Sequence, residues 1–544
     1  MWQVFLDGCS VLSENWSVAL GAIGVTCLGC GLSFFLLRGT TREKTIPWQS
    51  GFLLIFFFVA SVILRLAFVT ETLVPPYFDS VEHFRLVNEL VTALESSALL
   101  ETIPTLTPGY YHLGFHFLAA LLTLGLHADP INVILVLGQV ILAAIPIPIF
   151  FLIRSKTQSN TAAYFGAILA GFGWYMPGFA VNWGKYPALA GLLVLELVLS
   201  LAYLIPRNKP GRNQTVSIVL LILWIIISTL FHSRTLIVIV ISIASWIAAG
   251  KMQSLSKHIQ YLLLGILLAA ILVLGLLIQK EPLLALTLEP YLDNGMGITL
   301  TVLALSPFAL IKFPRGVYFC ILFIFWIFAA LFISVSDWLP GFGNQTLLDR
   351  PFVEMLLYLP LSILGGLGAA GFLQFLNTIK AIPEQIRTSI RALSIILLIG
   401  TFSISSMMNY DFYPSDCCNF VRYDDTIAFD WLDRNTPPDA RVLIASTQMH
   451  VLPSGPSEAN VGTDAGIWIP ALTDRITTFA PFGIDFRSPG TLEGLCKEQI
   501  NYIYVGGTDQ KFNAAQLQEK PDWYEGILFL PNAQVYQITG CTKL

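Results

Sequence analysis

The sequence carries little charge. Asp, Glu, Lys and Arg make up 12% of its 544 residues, whereas soluble domains carry about 25%. Hydrophobic residues make up 55% of the chain and its mean hydropathy is +0.70, so a wholly soluble enzyme is excluded. The net charge is −5 and the few basic residues are scattered, which leaves no basic surface for nucleic acid.

Several motifs of pumps and soluble enzymes are also absent. The sequence contains no phosphate-binding P-loop, no dinucleotide-binding fingerprint and no Gly-x-Ser-x-Gly nucleophile elbow. An ATP-driven pump or a soluble-type hydrolase would therefore lack its machinery. No Cys-x-x-Cys pair stands opposite another, so a zinc site has little support.

Long apolar stretches dominate the first 409 residues instead. Their lengths are near those needed to cross roughly 30 Å of hydrocarbon. They predict spans near 17–38, 48–69, 131–153, 161–179, 186–205, 215–231, 235–249, 259–279, 297–311, 315–334, 352–376 and 389–408. A further apolar segment, 109–126, carries two histidines. The expected fold is a mainly α polytopic membrane protein with about 12–13 transmembrane helices.

The basic loops orient these spans, because Lys and Arg concentrate on the cytoplasmic side of a membrane. The clearest basic loops are Arg38–Lys44, Arg154–Lys156, Arg207–Arg212, Lys251–Lys257, Lys312–Arg315 and Lys380–Arg391. All of them fall in the cytoplasm if 109–126 lies along the interface or dips in without crossing. We therefore predict a multi-pass protein of the plasma (inner) membrane, with twelve crossings and both termini outside.

The last part of the chain, residues 415–544, differs in composition from the first 409 residues. Turn signals and charges alternate there with short apolar runs, which predicts an extracytoplasmic α/β domain after a transmembrane domain of residues 1–409. The spacing predicts a helix at Asp424–Arg434 and strands at Arg441–Ser446, Ile500–Val505, Ile527–Leu530 and Gln534–Ile538. The pairing of Cys417, Cys418, Cys496 and Cys541 stays open, although adjacent cysteines seldom bond each other.

The outer loop 70–108 is the most informative stretch. Asp79, Glu82 and His83 stand within five residues, just before apolar residues at helical spacing from Val81 to Ala98. That spacing predicts an amphipathic helix at the membrane surface. Asp79 and Glu82 have the spacing of a helix capping box, which is a structural role. Three polar groups at the membrane border also favour a functional role.

Four more residues on the outer face are candidates. His112 and His116 are spaced for metal ligation, but no Glu lies between them as in zinc proteases, and hydrogen bonding within the bundle or to a lipid phosphate is the alternative. Lys185 could contact a diphosphate or sugar, or serve interfacial anchoring together with Trp183 and Tyr186. Arg234 calls for an anionic partner, either a lipid phosphate or a protein carboxylate.

Asp349 and Arg350 have a simpler explanation than contact with an anionic ligand. The two residues are adjacent on the same outer face, and we interpret them as an internal ion pair.

Taken together, this layout resembles the GT-C superfamily of membrane glycosyltransferases. The resemblance covers Pro75–His116 at the level of motifs and nearly the whole chain at the level of architecture. Two tail segments, Phe429–Pro437 and Gly462–Pro470, are similar to segments of uncharacterised prokaryotic GT-C-like proteins. The resemblance implies a polyprenyl-phosphate sugar as donor and a glycan, lipid or protein as acceptor. It also places Asp79 at the position of the family's catalytic acidic residue.

Two departures from the family pattern affect the expected chemistry. Many members have adjacent Asp and Glu where this chain has Asp79 followed by Ser80, and a second outer Asp-x-Asp is missing. A metal requirement is therefore unknown, no cofactor is certain, and a divalent cation stays compatible with the pattern. We expect Asp79 to be the base for the acceptor hydroxyl. The candidates for donor or phosphate contacts are Glu82, His83, His112, His116, Lys185 and Arg234.

Two other functions stay open. One is a transporter or flippase of a lipid-linked sugar, which would need polar groups near the bilayer midplane and paired broken helices. The other is a non-catalytic GT-C-like component of a surface-polysaccharide machine.

Overall fold

A computed structural model describes residues 1–38, 48–106, 112–204, 212–335, 345–379, 383–448, 460–507 and 509–543. Most of the described residues up to 435 are helical. Those before the tail are α1 (Trp2–Glu14), α2 (Trp16–Arg38), α3 (Trp48–Leu66), α4 (Asp79–Glu95), α5 (Leu99–Leu106), α6 (Gly114–Leu126), α7 (Pro130–Ala144), α8 (Pro146–Thr157), α9 (Asn160–Ile168), α10 (Tyr186–Leu204), α11 (Arg212–Phe231), α12 (Arg234–Ser254), α13 (Lys257–Lys280), α14 (Pro282–Ala285), α15 (Glu289–Leu292), α16 (Met296–Lys312), α17 (Pro314–Ala330), α18 (Arg350–Leu356), α19 (Tyr358–Thr378) and α20 (Glu384–Asn409).

The tail, residues 410–543, combines short helices with strands. Its elements are α21 (Tyr423–Asn435), β1 (Arg441–Gln448), β2 (Asn460–Gly462), α22 (Ile469–Thr473), β3 (Ile476–Pro481), α23 (Pro489–Lys497), β4 (Tyr502–Gly506), α24 (Ala514–Gln518), β5 (Tyr524–Phe529) and β6 (Ala533–Ile538).

Many of the helices before the tail are long and apolar. Within the described ranges, eight are long and apolar enough to cross a membrane, counting α7 with α8 and α18 with α19 as one each. The segment Trp16–Cys27 and the helices α6, α16 and α17 are apolar but shorter. The chain is thus mainly helical and consistent with a multi-pass membrane protein, as the hydropathy of the sequence predicts.

The predicted span at 161–179 is wrong as a continuous helix. The α-helix ends at Ile168, a π-helical turn follows at Leu169–Gly173, and a 3-10 helix occupies Gly178–Trp183. The buried guanidinium of Arg65 donates a hydrogen bond of 2.7 Å to the carbonyl of Gly171, which occupies a backbone acceptor at the break. Apolar content alone predicted a span here, but glycine, proline and this Arg65 contact interrupt the regular helix.

Helix α6 packs against α2 and α11. A Cβ on Gly114, at its start, would meet the backbone of Leu230 at the end of α11. Leu126, its last residue, packs beside Gly21 near the start of α2. The prediction that 109–126 does not cross the membrane stays a prediction, and residues 109–111 of that segment lie outside the described residues.

The tail contains a six-stranded sheet. Strand β1 pairs parallel with β3 and β4, and antiparallel with β2 at its end, while β4, β6 and β5 follow in antiparallel order. Strand β4 is buried along its whole length, as expected for a central strand. The predicted helix and four strands are present; β2 and β3 were not predicted, because β2 is only three residues long and β3 is largely exposed.

The tail packs directly on the helices. Trp468, which is fully buried, contacts Phe84 of α4 with ring centroids 5.6 Å apart. Tyr410 and Phe412 bury against Val4 of α1. The apolar core is therefore continuous from the helices into the sheet, while the predicted domain limits at 409 and 415 stay a prediction.

Two disulfides lie in the tail. Cys496 is bonded to Cys541, and Cys417 is bonded to its neighbour Cys418. The expectation that adjacent cysteines would not pair is therefore wrong for this chain.

The helical arrangement predicts that the two ends of α16 face opposite sides of the membrane. Asn294 and Lys312 flank this helix and both are exposed. In a background in which the cysteines outside the disulfides are replaced, Asn294→Cys should react with a membrane-impermeant maleimide on intact cells. Lys312→Cys should react only after permeabilisation. Labelling of both from one side would contradict the crossing, and the reverse pattern would contradict the orientation.

Candidate functional site

The candidate site lies where the outer loop, the turn before α10 and the tail meet. The backbone N–H of Ser415 donates to the Oδ1 atom of Asn182 at 2.7 Å, and the N–H of Tyr77 donates to the carbonyl of Cys418 at 2.8 Å. The side chain of Asn419 donates to the carbonyl of Glu71 at 2.8 Å. The tail therefore fixes both the loop and the turn.

An ion pair between Asp79 and Lys185 stands at this junction. Their side chains are 26% and 29% exposed, respectively. Helix α4 begins at Asp79, but its N-cap residue is Phe78 and no side chain caps the helix. The capping-box reading of Asp79 and Glu82 is therefore wrong, because the Asp79 carboxylate faces the lysine instead of the first-turn amides.

A glycine lets the turn approach α4 closely. Gly184 has φ +62, in the left-handed region that favours glycine, and a Cβ there would lie 2.3 Å from the Oγ atom of Ser80. Any larger residue at this position would push the turn away from the helix. The position of Lys185 beside Asp79 thus depends on Gly184.

The residue at the other side of the junction is strained. Tyr77 has φ +69, which is rare for a bulky side chain. Its ring packs on Phe78 and Phe420, with centroids 4.1 and 5.9 Å apart. Backbone strain of this kind persists only where surrounding contacts impose it, and it clusters at functional sites.

Four histidines pack behind the ion pair. The Nδ1 atom of His83 lies 2.9 Å from the Nε2 atom of His116, and the rings of His112 and His232 have centroids 4.4 Å apart. The predicted i, i+4 pair is thus divided, with each member facing a histidine of another segment. Glu82 is not in this group: its side chain is 52% exposed and pairs with Arg85.

These histidines are neutral at physiological pH. Burial, with the nearby Lys185 charge, lowers the pKa of His83 to about 3. Burial, with the charges of Arg234 and Lys185, lowers the pKa of His112 to about 4, and burial lowers the pKa of His232 well below its usual value. For Lys185, desolvation lowers the pKa, but the Asp79 carboxylate more than offsets it, so that pKa is raised.

Arg234 has a protein carboxylate as its partner. Its Nη2 atom lies 3.1 Å from the carboxylate of Asp349, which decides between the two partners left open by the sequence. The neighbouring Arg350 pairs with Glu354 at 3.1 Å. The predicted internal Asp349–Arg350 pair is therefore wrong, because Asp349 caps α18 through the N–H of Phe352 and faces Arg234.

Both aromatic residues of the turn contact other side chains of the protein. The guanidinium of Arg350 sits over the ring of Trp183 at 5.6 Å, and Tyr186 is fully buried, with its ring stacked on Phe115. Interfacial anchoring by Tyr186 is therefore wrong.

One buried atom of the histidine cluster can form a further hydrogen bond. The Nδ1 atom of His232 has no partner within the described part of the chain. Its ring stacks on Phe352 with centroids 4.8 Å apart, so the ring plane is held. Buried polar groups normally have a partner, and a ligand atom could fill this role.

A cavity of about 480 Å³ lies between the outer loop, the turn before α10 and the tail, and Phe78, which precedes Asp79 in the sequence, is on its wall. Its floor includes Tyr77, Phe78, Trp183 and Arg350, and the tail contributes Asp416, the Cys417–Cys418 disulfide, Phe420, Thr447, Gln448, Val461, Gly462, Thr463, Asp509 and Gln510. These tail residues include the carboxyl end of β1 and the segment after β4, where ligands bind in open α/β sheets. The wall thus combines aromatic faces with hydrogen-bonding side chains.

The structure brings together six of the seven predicted site residues and leaves out Glu82. It adds Tyr77, His232, Asp349 and Arg350, of which only the last three carried a sequence signal, as polar residues beside spans. Among the described residues, no group of three or more His, Cys, Asp or Glu side chains could hold a metal ion.

Residues 8–291 match the model of a family of unknown function, DUF6541. The match covers more than half of the chain, so the protein belongs to this family. The matched residues include the outer loop, Lys185 and Arg234. Asp349 and the tail lie beyond them. No curated protein matches the chain.

The buried histidines predict that thermal stability falls as pH is lowered from 7 to 5. A histidine titrates near pH 6.5 in the unfolded chain, whereas His83 titrates near 3 when folded. Protons therefore bind the unfolded state first, and stability is complete above pH 6.5 and lost as pH falls toward the folded pKa. Melting temperatures of the detergent-purified chain at pH 7, 6 and 5 measure this.

His83→Asn should reduce that pH dependence by up to about 1.4 kcal/mol per pH unit. The matched control is His258→Asn, which removes an exposed histidine. A melting temperature that is the same at pH 7 and pH 5 would contradict the neutral, buried state of the cluster.

Proposed function

We propose that the protein is an integral-membrane glycosyltransferase that moves a sugar from a polyprenyl-phosphate donor to a glycan, lipid or protein acceptor on the extracytoplasmic face. The observation that carries this proposal is the partly exposed Asp79–Lys185 pair, whose sequence neighbour Phe78 lines a cavity of about 480 Å³. The resemblance of Pro75–His116 to the GT-C loop supports the same assignment.

Asp79 is the base in this proposal. The acceptor hydroxyl oxygen forms a bond to the anomeric carbon of the sugar, and its proton passes to the Asp79 carboxylate. The bond from the anomeric carbon to the phosphate oxygen breaks, and polyprenyl phosphate leaves with that electron pair. A positioned base of this kind contributes about 10²–10⁴-fold to the rate.

Lys185 and Arg234 stabilise the phosphate of the leaving group. Each cation is balanced by one carboxylate in the structure, Asp79 and Asp349 respectively. A phosphate in the site competes with Asp79 for Lys185, since it offers the ammonium a second anion. Binding of the donor thereby weakens the ion pair and makes the Asp79 carboxylate a better proton acceptor.

The neutral histidines add hydrogen bonds without adding charge. His83 and His112 have strongly lowered pKa values. The buried Nδ1 atom of His232 can form a hydrogen bond with an oxygen atom of the polyprenyl-phosphate sugar. Such preformed dipoles stabilise developing charge at little reorganisation cost. The histidines therefore orient a phosphate whose charge Lys185 and Arg234 neutralise.

The cavity suits a sugar-bearing acceptor. Aromatic rings of Tyr77, Trp183 and Phe420 offer apolar faces, and the side chains of Gln448 and Asp509 offer hydrogen bonds. Pockets that combine apolar walls with a few placed polar groups are typical small-molecule sites. The tail would then contribute to acceptor binding.

A second candidate is a flippase for the same lipid-linked sugar. The interruption of the helix between Leu169 and Trp183, with Arg65 bonded to the backbone there, favours it, because broken helices line the substrate sites of transporters. Reconstituted vesicles separate the two functions: a transferase forms a new glycoconjugate, whereas a flippase only moves the lipid between leaflets.

The base assignment predicts that Asp79→Asn lowers transfer by about 10²–10⁴-fold while the protein stays folded. The amide keeps the size of the side chain, and no cap is lost because Asp79 caps nothing. The measurement is transfer from radiolabelled polyprenyl-phosphate sugars by the purified chain, beside its melting temperature.

Glu82→Gln is the matched control, because it makes the same chemical change one turn away on an exposed side chain. It should leave transfer within about twofold of the unmodified chain. Near-normal transfer by a well-folded Asp79→Asn protein would remove the catalytic role.

A further inference from the structure

A second cavity lies beside the first, cavity of about 480 Å³, on the tail. The second has a volume of about 360 Å³ and occupies the edge of the sheet where β4 ends and β6 begins. Asp509 lines both cavities. Since the first cavity contacts the end of β1, the two together cross the ends of the neighbouring strands β1, β4 and β6. Strands lie about 4.8 Å apart, so this path, which we call the tail groove, spans about 10 Å.

The wall of the second cavity is mostly polar. Its two largest apolar residues, Val505 and Phe512, are buried. The polar side chains of the wall are those of Asp509, Lys511, Asn513, Asn532 and Gln534. An acyl or isoprenoid chain would meet little apolar surface there, so the second cavity does not suit a lipid acceptor.

Two amides of the second cavity are held in place by the tail itself. The Oδ1 atom of Asn513 accepts the N–H of Ala515 at 3.1 Å. The Nδ2 atom of Asn532 donates to the carboxylate of Asp424 at 3.1 Å, and its backbone N–H donates to the same oxygen at 2.9 Å. Asn513 thus offers its Nδ2 donor to a ligand, and Asn532 offers its Oδ1 acceptor. Sugar hydroxyls both donate and accept, so they match such preorganised amides.

The strands beneath the groove do not suit a peptide acceptor. Extended peptides commonly bind by adding a strand to an unpaired edge of a sheet. Strand β4 pairs with β1 and β6, and β6 pairs with β4 and β5. Because both strands are paired on both sides, they offer a peptide backbone no open edge.

The charge of the tail disfavours an acidic acceptor. Residues 410–544 contain 17 acidic and 9 basic residues, and Asp416 and Asp509 line the tail groove, as does Lys511. The cations of the candidate site lie in the helical bundle, where they face carboxylates. Juxtaposed like charges suppress wrong partners, so a neutral chain suits the groove better than an acidic polysaccharide.

We propose that the acceptor is a neutral carbohydrate chain that lies along the tail groove. Its terminal sugar, which carries the reacting hydroxyl, occupies the first cavity, and the following units pass Asp509 into the second cavity. The role of this chain as acceptor rests on the proposed transferase, whereas its binding does not require transfer.

Photo-crosslinking of the full chain in the membrane of its own cells tests the proposal. The photoreactive residue p-benzoylphenylalanine replaces Gln448 in the first cavity or Lys511 in the second. Mass spectrometry of the digested protein should show adducts with the same sugar units at both positions. The control position is Ile476, which is 48% exposed and pairs with Arg441 at the other end of β1. Its sugar adduct should be at least about tenfold weaker.

Asp509→Trp tests whether the two cavities form one groove. A bulky ring between them should lower the ratio of the sugar adduct at position 511 to that at position 448 by at least about tenfold. An unchanged ratio would overturn the proposal. So would a lipid or peptide adduct at position 511, sugar at position 448 alone while Asp509 is present, sugar at neither position, or equal sugar at the control position.

Asp79→Asn separates this inference from the proposed activity. The variant should keep the sugar adducts at both positions while its transfer falls, because the chain binds to the tail. Sugar adducts in a protein that shows no transfer even with Asp79 present would remove the transferase and leave the carbohydrate site.

Discussion

The ion pair of Asp79 with Lys185 joins two segments 106 residues apart in sequence, and the arrangement of the site depends on it. It forms because α4 is held on both sides: Trp468 covers Phe84, and His83 contacts His116. Because the position of α4 is fixed, the carboxylate of Asp79 at its start faces Lys185. Opposite charges in a partly dehydrated setting attract more strongly than at an open surface, so the loop and the turn are held in register.

The hydropathy of the sequence predicts most of the helices, because a backbone in hydrocarbon must satisfy its own hydrogen bonds and does so as a helix. It could not predict the break after Ile168, where the contact that matters comes from Arg65, about one hundred residues earlier. The same holds for charge partners. Arg234 was predicted to need an anion, but its choice of Asp349 is decided by where α18 begins, which is a tertiary fact. Glu82 lies outside the cluster because the helix turns it toward Arg85.

The cations at the two ends of the bundle have different kinds of partner. Toward the tail, cations stand beside carboxylates, so the net charge of the site is small and an arriving anion must displace an existing partner. That exchange favours specificity over raw affinity. At the other end, Arg315 rests on the Trp246 ring, and a cation–π contact leaves most of its charge available.

The two disulfides have opposite thermodynamic meanings. Cys496 and Cys541 are 45 residues apart, so their bond restricts the unfolded chain and stabilises the tail by about 4 kcal/mol in the chain-entropy model. Cys417 and Cys418 close almost no loop, so this entropic gain is absent. What their bond restricts is the peptide unit between them, and the next carbonyl along the chain, that of Cys418, accepts a hydrogen bond from the N–H of Tyr77. Reduction of this bond alone would thus leave the fold of the tail nearly as stable while giving more freedom to the backbone that holds Tyr77, whose ring also packs on Phe78 and Phe420.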